Sequence, residues 1–225
     1  MSIWTSKVSR AAAGTALALA LSGCQMTSAP GPEKQSRFSG PPPSKMAVAG
    51  GQLIVSGPRG YCIDRESSRD DAGAAALVVL SPCRGLGAGL FAERAAHEAV
   101  MTAAVGARPM VAEPGRLLPA MQAFAATDQG LAALSRSGAA QNIQVRHIFA
   151  EGDVVYMRLT DRGQFAWGIV QPDYWRAVVP AGGRMLSLSV LALPQSPLSD
   201  SDGLRLLRDF VATVQAGSAL PATSG

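Results

Sequence analysis

Histidine is scarce in this 225-residue chain, which has only His97 and His147. The sequence holds no Gly-x-Ser-x-Gly and no His-Glu-x-x-His, the motifs that place a serine nucleophile or a zinc ion in common hydrolases. His97 and Glu98 are adjacent, so they do not share one face of a helix. His147 alternates with Val145 and Phe149 along a predicted strand, which places it in the core or on a sheet face. These patterns argue against a hydrolase-type enzyme and against a metal site.

The apolar run near the N-terminus is too short to cross a membrane. Ala11–Leu21 carries no charge and follows the basic residues Lys7 and Arg10. A transmembrane helix needs about 20 apolar residues, whereas a basic start followed by a shorter apolar run is typical of a signal peptide. We therefore expect residues 1–23 to be a signal peptide that is removed on export.

The end of this run, Leu21-Ser22-Gly23-Cys24, resembles the lipobox of bacterial lipoproteins. The resemblance implies that diacylglycerol is attached to the Cys24 thiol, that the chain is cut between Gly23 and Cys24, and that the new amine is acylated, with palmitate as the expected fatty acid. Several acyl chains anchor a protein firmly, whereas one binds reversibly. The alternative is an ordinary secretory signal in which Cys24 is incidental.

Gln25 and the residues after it predict where the chain is held. Many inner-membrane lipoproteins carry aspartate directly after the cysteine. By resemblance to this enterobacterial sorting pattern, Gln25 favours the outer membrane, facing the periplasm.

Residues 24–46 hold five prolines and little that is apolar. Such a segment cannot bury a core, so we expect a tether that extends to about 60 Å as polyproline II.

Residues 47–217 have the length and apolar content of one globular domain, and we expect residues 218–225 to be a disordered tail. The chain carries 20 basic and 16 acidic residues, and removal of Lys7 and Arg10 leaves a net charge of +2. The remaining arginines and lysines are scattered along the sequence. This distribution argues against a nucleic acid partner.

Two cysteines remain when Cys24 is assigned to lipid. Cys62 and Cys83 each sit beside a predicted strand, and two cysteines in a secreted chain usually form one disulfide. Closing a loop of about 22 residues stabilises a fold by about 3 kcal/mol in the chain-entropy model. A redox or metal role is the alternative, but the spacing is not Cys-x-x-Cys and no histidine group accompanies it.

Period-two alternation and β-branched or aromatic enrichment predict nine strands. They lie near Gln52–Ser56, Tyr61–Asp64, Ala75–Leu80, Val100–Val105, Ile143–Ala150, Val154–Thr160, Phe165–Val170, Trp175–Pro180 and Arg184–Leu193. We expect hairpin turns at Glu151-Gly152-Asp153, Asp161-Arg162-Gly163 and Ala181-Gly182-Gly183, since glycine tolerates positive φ, and a polar loop at Arg65–Ala72. Short consecutive connections imply an antiparallel meander.

Three segments have the composition and periodicity of helices. They are Gly115–Thr127, Asp128–Ser135 and Asp202–Ala216. We expect the last to be capped by Asp200 or Ser201 and to stop at Gly217. Its apolar residues form one stripe, which needs a sheet to lie on. The stripe consists of Leu204, Leu207, Phe210, Val211 and Val214. Strands with helices between and after them predict the α+β class, an antiparallel sheet with helices packed on it.

Two parts of the domain carry a family resemblance. Gly60-Tyr61-Cys62-Ile63-Asp64 with a second cysteine about 20 residues on, followed by the closing strand and helix around Gly183 and Gly203–Val211, resembles uncharacterised alphaproteobacterial exported proteins. The order of the sheet and the C-terminal helix is similar to PsbP-like domains, which serve mostly as binding or assembly-accessory modules. The resemblance implies a class of role and no particular binding residues.

A glycine-rich turn, Arg84–Gly89, follows the strand that ends near Leu80. The segment after it, Phe91–Ala99, could be helical, and a glycine-rich turn at a helix N-terminus can hold phosphates. Leu90 stands where a dinucleotide fingerprint has glycine or alanine, and the expected disulfide enters the turn. We therefore favour a flexible solvent loop over a nucleotide site, and no cofactor is expected.

Four carboxylates cluster in the predicted polar loop. They are Asp64, Glu66, Asp70 and Asp71. They could meet a calcium ion, but Arg65 and Arg69 are interleaved with them, and the order of a calcium loop is absent. We expect the charges to neutralise one another in water.

Three aromatic residues, Trp167, Tyr174 and Trp175, bracket a turn between two predicted strands. Tyrosine and tryptophan are common at sites where one edge of the ring remains in contact with water. An exposed cluster could therefore bind a ligand, peptidoglycan or a protein. The alternative is that at least two of the three fill the core.

These patterns favour a non-enzymatic envelope lipoprotein that binds a partner or supports assembly. Its expected partners are membrane lipid, through acylated Cys24, and an envelope protein or peptidoglycan. A periplasmic module that binds a small ligand is the alternative, and a hydrolase-type enzyme comes last.

Overall fold

The computed structural model describes residues 40–71, 75–109, 113, 115–164 and 170–218. Its strands are β1 Lys45–Val48, β2 Leu53–Ser56, β3 Tyr61–Asp70, β4 Ala76–Pro82, β5 Ala99–Pro109, β6 Ile143–Glu151, β7 Val154–Asp161, β8 Asp173–Ala181 and β9 Arg184–Ala192. Its α-helices are α1 Leu117–Ala125, α2 Asp128–Leu134 and α3 Asp200–Ser218, and a 3₁₀ turn covers Ala140–Asn142. The α+β class is confirmed.

Seven strands form one antiparallel sheet in the order β3-β4-β5-β9-β8-β7-β6, while β1 and β2 form a separate hairpin. The large sheet consists of two meanders, β3 to β5 and β6 to β9, which meet where β5 pairs with β9. The predicted hairpin turns at Gly152 and at Gly182-Gly183 are present, and all three glycines have positive φ. Glycine adopts this backbone region without steric cost, so the turns keep neighbouring strands in register.

Helix α3 and the β1–β2 hairpin cover one face of the large sheet. The apolar stripe of α3 packs there, with Leu207, Phe210 and Val214 fully buried. Ser199 Oγ accepts a hydrogen bond from the amide of Asp202, so Ser199 caps the helix instead of the predicted Asp200 or Ser201.

The predicted stop of α3 at Gly217 is wrong, since the helix runs to Ser218. A Cβ atom at Gly217 would lie 3.1 Å from the carbonyl oxygen of Ile54 in β2. The glycine therefore serves a close approach between helix and hairpin. A glycine near a helix end can either end the helix or let another segment approach closely, and the sequence pattern is the same in both cases.

Helices α1 and α2 lie against the other face, over β6, β7 and β8. Leu134 and Leu131 of α2 and Met121 of α1 join a cluster with Met157 and Leu159 of β7. Strand β7 is therefore buried on both faces, which explains its nearly continuous run of apolar residues.

Several predicted boundaries are corrected by the structure. Arg65–Ala72 is not a loop, because β3 continues to Asp70 with a register shift between Asp64 and Arg69. Strand β1 begins at Lys45, inside the range expected for the tether. Asp161-Arg162-Gly163 is not a tight hairpin, since β7 ends at Asp161 and pairs with β8, which begins at Asp173. The predicted strand Phe165–Val170 lies outside the described residues except for Val170, which is not in a strand.

Replacement of Phe210 by alanine should destabilise the domain by about 3–5 kcal/mol, because it removes a fully buried ring between α3 and the sheet. Asp209→Ala changes the preceding residue, which faces solvent, and should alter the free energy of unfolding by less than about 0.5 kcal/mol. Urea unfolding of both variants measures the difference. Equal losses would show that α3 does not pack on the sheet through this stripe.

Candidate functional site

The predicted disulfide is present and joins Cys62 of β3 to Cys83, the residue after β4. The two Cα atoms are 4.8 Å apart. The amide of Cys83 also donates to the carbonyl oxygen of Gly60, at 2.9 Å. Both bonds fix the start of edge strand β3 to the point where the glycine-rich segment leaves the sheet.

We call residues 84–98 the disulfide loop. Phe91–Ala99, which could be helical by its sequence, is not a helix, because residues 84–98 form turns and irregular structure until β5 begins at Ala99. The amides of Leu86, Gly87 and Ala88 donate to backbone carbonyls of the same turn. These amides are therefore used within the turn, whereas a phosphate site at a helix N-terminus needs amides that are free to donate to the ligand.

The base of the disulfide loop is held at three points. The Tyr61 hydroxyl donates to the carbonyl oxygen of His97, at 2.7 Å. Arg59 and Glu93 form an ion pair of 2.6 Å. Gly60 has φ +83° and lies so close to Ala95 that a Cβ atom would be 2.4 Å from its amide nitrogen. The loop is therefore attached to β3 and the residues before it along much of its length.

The tip of the disulfide loop presents two large apolar side chains to solvent. Leu90 is 84% exposed and Phe91 is fully exposed, and Phe124 at 39% is the other large apolar residue exposed in the described part of the chain. Single exposed apolar residues are common, whereas these two are adjacent on one loop.

A pocket of about 160 Å³ lies where the N-terminus of α3 meets β7 and β8. Several of its polar side chains have partners inside the domain. Arg158 pairs with Asp200 at 2.5 Å, and Trp175 Nε1 donates to the Asp200 carbonyl oxygen at 3.1 Å. Asp173 accepts from Thr160 Oγ1 at 2.5 Å. Pockets for drug-sized ligands measure about 300–1,000 Å³, so this one is small for the ligand-carrier alternative.

A buried polar network joins α2 to the sheet. Asp161 is fully buried, and its carboxylate accepts from the amides of Arg136 and Gly163, at 2.6 and 2.8 Å. Arg136 also forms an ion pair with Asp161. Arg176 donates to the carbonyl oxygen of Leu134 at the end of α2, at 2.8 Å. No motif marks this network, because Asp161 lies 25 positions from Arg136 and Arg176 lies 42 positions from Leu134.

The aromatic residues do not form one exposed patch. Tyr174 and Trp175 are 2% and 7% exposed, and as consecutive strand residues they point to opposite faces of the sheet. The guanidinium groups of Arg136 and Arg176 both lie over the Tyr174 ring, with their centres 5.3 and 5.4 Å from the ring centre. Trp167 lies outside the described residues. Core filling, the alternative interpretation, holds for the two described members.

Neither histidine lines the pocket. His147 is exposed on edge strand β6, with its ring centre 5.3 Å from that of Phe149. It therefore occupies a sheet face, one of its two predicted places. His97 lies at the base of the disulfide loop near the first turn of α3. The pKa of Asp202 there is lowered, mainly by a hydrogen bond from Ser199 and further by Arg205 and His97.

Two of the four clustered carboxylates, Asp64 and Asp70, accept hydrogen bonds from backbone amides. The Asp64 carboxylate accepts from the amides of Glu66 and Ser67, at 3.0 and 3.2 Å, where the register of β3 shifts. Asp70 accepts from the amide of Ala49 at 3.4 Å. Within the described ranges, His, Cys, Asp and Glu side chains nowhere gather in threes as they would around a metal ion.

Cys24 and Gly23 lie outside the described residues, so the predicted lipid attachment and cleavage stay predictions. In the part of the chain that the structure describes, no helix has the length and hydropathy to cross a bilayer.

Comparison with family models, with curated proteins and with solved structures finds no match for this chain. The resemblances drawn from the sequence therefore stay predictions.

Burial raises the pKa of all three tyrosines, Tyr61, Tyr156 and Tyr174. A raised pKa means that the fold favours the neutral phenol. This contribution to stability is complete below the unfolded pKa of about 10 and is lost as the pH rises above it. Absorbance titration should show little phenolate in the folded protein at pH 10 and about half ionisation in urea. Equal titration curves would contradict the burial of these side chains.

Gly60→Ala should loosen the disulfide loop, because the added Cβ would meet the Ala95 backbone. Gly87→Ala is the matched control, since Gly87 has φ +81° but open space around a Cβ atom. The positive φ alone costs about 1 kcal/mol, so Gly87→Ala should lose that much and Gly60→Ala clearly more. Urea unfolding gives both values. Equal losses would argue against the contact between Gly60 and Ala95.

Proposed function

We propose that this chain is an exported lipoprotein, anchored through acylated Cys24, whose domain is a non-enzymatic binding or assembly-accessory module of the cell envelope. The proposal places the domain in the periplasm at the outer membrane. The single observation that carries it is the disulfide between Cys62 and Cys83, together with the cysteine that this bond leaves over.

The disulfide supports export, because such bonds persist in oxidising compartments and are rare in the cytoplasm. It also accounts for two of the three cysteines of the chain. Cys24 is left with a small residue on its N-terminal side and an apolar run before it, which suits acylation. The pairing and the lipobox thus support each other from separate parts of the sequence.

The side-chain contacts favour a binding module. Arg158, Asp161 and Asp173 all have partners inside the domain, so their charges are used in holding elements together. Leu90 and Phe91 instead expose apolar area to water at a fixed position. Exposed apolar area of this kind is typical of interaction surfaces.

The entry of the chain into the domain suits a tether. The carbonyl oxygen of Pro43 accepts a hydrogen bond from the amide of Ile63, at 2.7 Å, which fixes the chain beside β3. The residues between Cys24 and Gly40 can span at most about 55 Å. An acylated Cys24 would therefore hold the domain within that distance of the membrane.

Acylation is tested by growing cells that express the full chain with an alkyne fatty acid and detecting the label on the purified protein. We expect labelling and recovery in the membrane fraction, both lost in Cys24→Ser because the thiol that accepts the lipid is gone. The double variant Cys62→Ser/Cys83→Ser is the control and should keep its label. An unlabelled wild-type protein in the soluble fraction would show an ordinary secretory protein.

The binding role is tested by crosslinking the membrane-bound protein in intact envelopes and identifying what it captures. A defined envelope protein or peptidoglycan fragment, recovered in constant proportion, supports the proposal. Recovery of lipid-biogenesis factors alone would remove the support for an assembly role.

A further inference from the structure

We propose that the tip of the disulfide loop, Leu90 and Phe91, inserts into the bilayer to which Cys24 is attached. The domain would then touch the membrane at a second point and lie on it in a fixed orientation. This inference rests on the proposed lipid anchor, and it names the surface to which the exposed loop binds.

The disulfide loop already exposes its apolar tip in the protein without a bound membrane. Cys83 starts the loop at the disulfide, and the Tyr61 hydroxyl holds its far end through His97. Leu90 and Phe91 are both exposed. Just before them in the sequence, no heavy atom of another segment lies within 4 Å of a Cβ built on Gly87 or Gly89. The tip therefore stands clear of the domain while its base is fixed. A preformed loop loses little conformational freedom on binding, so more of the apolar contact contributes to affinity.

The charges beside the tip suit an anionic membrane surface. Arg84 is exposed and donates from Nε to the carbonyl oxygen of Ala92, at 3.0 Å, which keeps its guanidinium next to the tip. Arg94, three residues after Phe91 in the sequence, is also exposed. Glu93, the acidic residue nearest the tip in the sequence, is paired with Arg59. Basic residues that flank exposed apolar side chains are attracted by anionic headgroups while the apolar groups enter the interface.

The disulfide loop starts close to the point where the tether enters the domain. Pro43 is hydrogen-bonded to Ile63, and Cys83 is hydrogen-bonded to Gly60. Gly60 and Ile63 are three residues apart, so these attachment points are separated by at most about 11 Å along β3. A lipid at Cys24 therefore draws to the membrane the same edge of the domain that carries the loop. This shared edge favours a bilayer over a soluble partner.

The insertion is tested with the full, lipidated chain in vesicles of phosphatidylcholine with phosphatidylglycerol, with or without bromine on the acyl chains. Phe91→Trp places a fluorophore at the tip, and Gln129→Trp places one at an exposed position of α2 as the control. The emission of the parent protein, from Trp167 and Trp175, is subtracted. We expect Trp emission from position 91 to shift to shorter wavelength and to lose intensity with brominated lipid. Emission from position 129 should do neither.

Adding Leu90→Asp to the Phe91→Trp protein should reverse most of the shift, because a carboxylate resists entry into the interface. Circular dichroism checks that both variants are folded. Phosphatidylcholine alone should give weaker quenching, since the attraction to Arg84 and Arg94 is lost.

The outcomes separate the anchor from the loop. Protein that floats with the vesicles but leaves position 91 open to an aqueous quencher overturns the insertion and keeps the anchor. Shielding from the aqueous quencher without quenching by brominated lipid would mean that a second copy covers the tip, which also overturns the insertion. Protein that fails to float overturns both proposals.

Discussion

A seven-stranded sheet has two apolar faces to remove from water, and the rest of this domain is arranged around that requirement. Helix α3 and the β1–β2 hairpin cover one face, with Phe210 at the centre of the contact. The pair α1 and α2 covers the other face over β6 to β8. Strand β7 is then buried on both sides, whereas β5 and β8 alternate buried residues with half-buried or exposed ones along most of their length.

The second face is covered partly through polar groups. Arg176 projects from β8 and reaches the last carbonyl of α2, which helix geometry leaves without a partner inside the helix. Asp161 at the end of β7 receives the backbone amide and the guanidinium of Arg136 just after that helix. Removing one member of such a buried pair costs about 3–5 kcal/mol, because the other charge is left buried. These arginines therefore fix the position of a seven-residue helix that would be unstable alone.

Local patterns predict the elements whose cause is local. Alternation located the strands of both meanders, apolar spacing located α3, and composition paired Cys62 with Cys83. The register shift in β3 was missed, because it depends on Asp64 folding back onto its own strand. The Arg136–Asp161 network was missed because partners distant in sequence leave no pattern. The sequence does indicate the tip, since Leu90 and Phe91 are two large apolar residues directly after a glycine-rich turn. The same glycines are also typical of phosphate binding, so the pattern has two interpretations.

The place of the disulfide suits a domain that is anchored as we propose. Edge strand β3 pairs with β4 on one side, so it is the strand of its meander with the fewest ladder bonds. With the proposed anchor at Cys24, a pull from the membrane would enter the domain at Pro43 and β3. The disulfide would pass that pull from Cys62 to Cys83, beyond the end of β4, through a covalent bond. The same bond fixes the base of the loop that carries Leu90 and Phe91. The proposed tether and the loop would then act on the sheet through one corner, and the proposed contact at the tip would relieve the hydrogen bonds of β3 from part of that load.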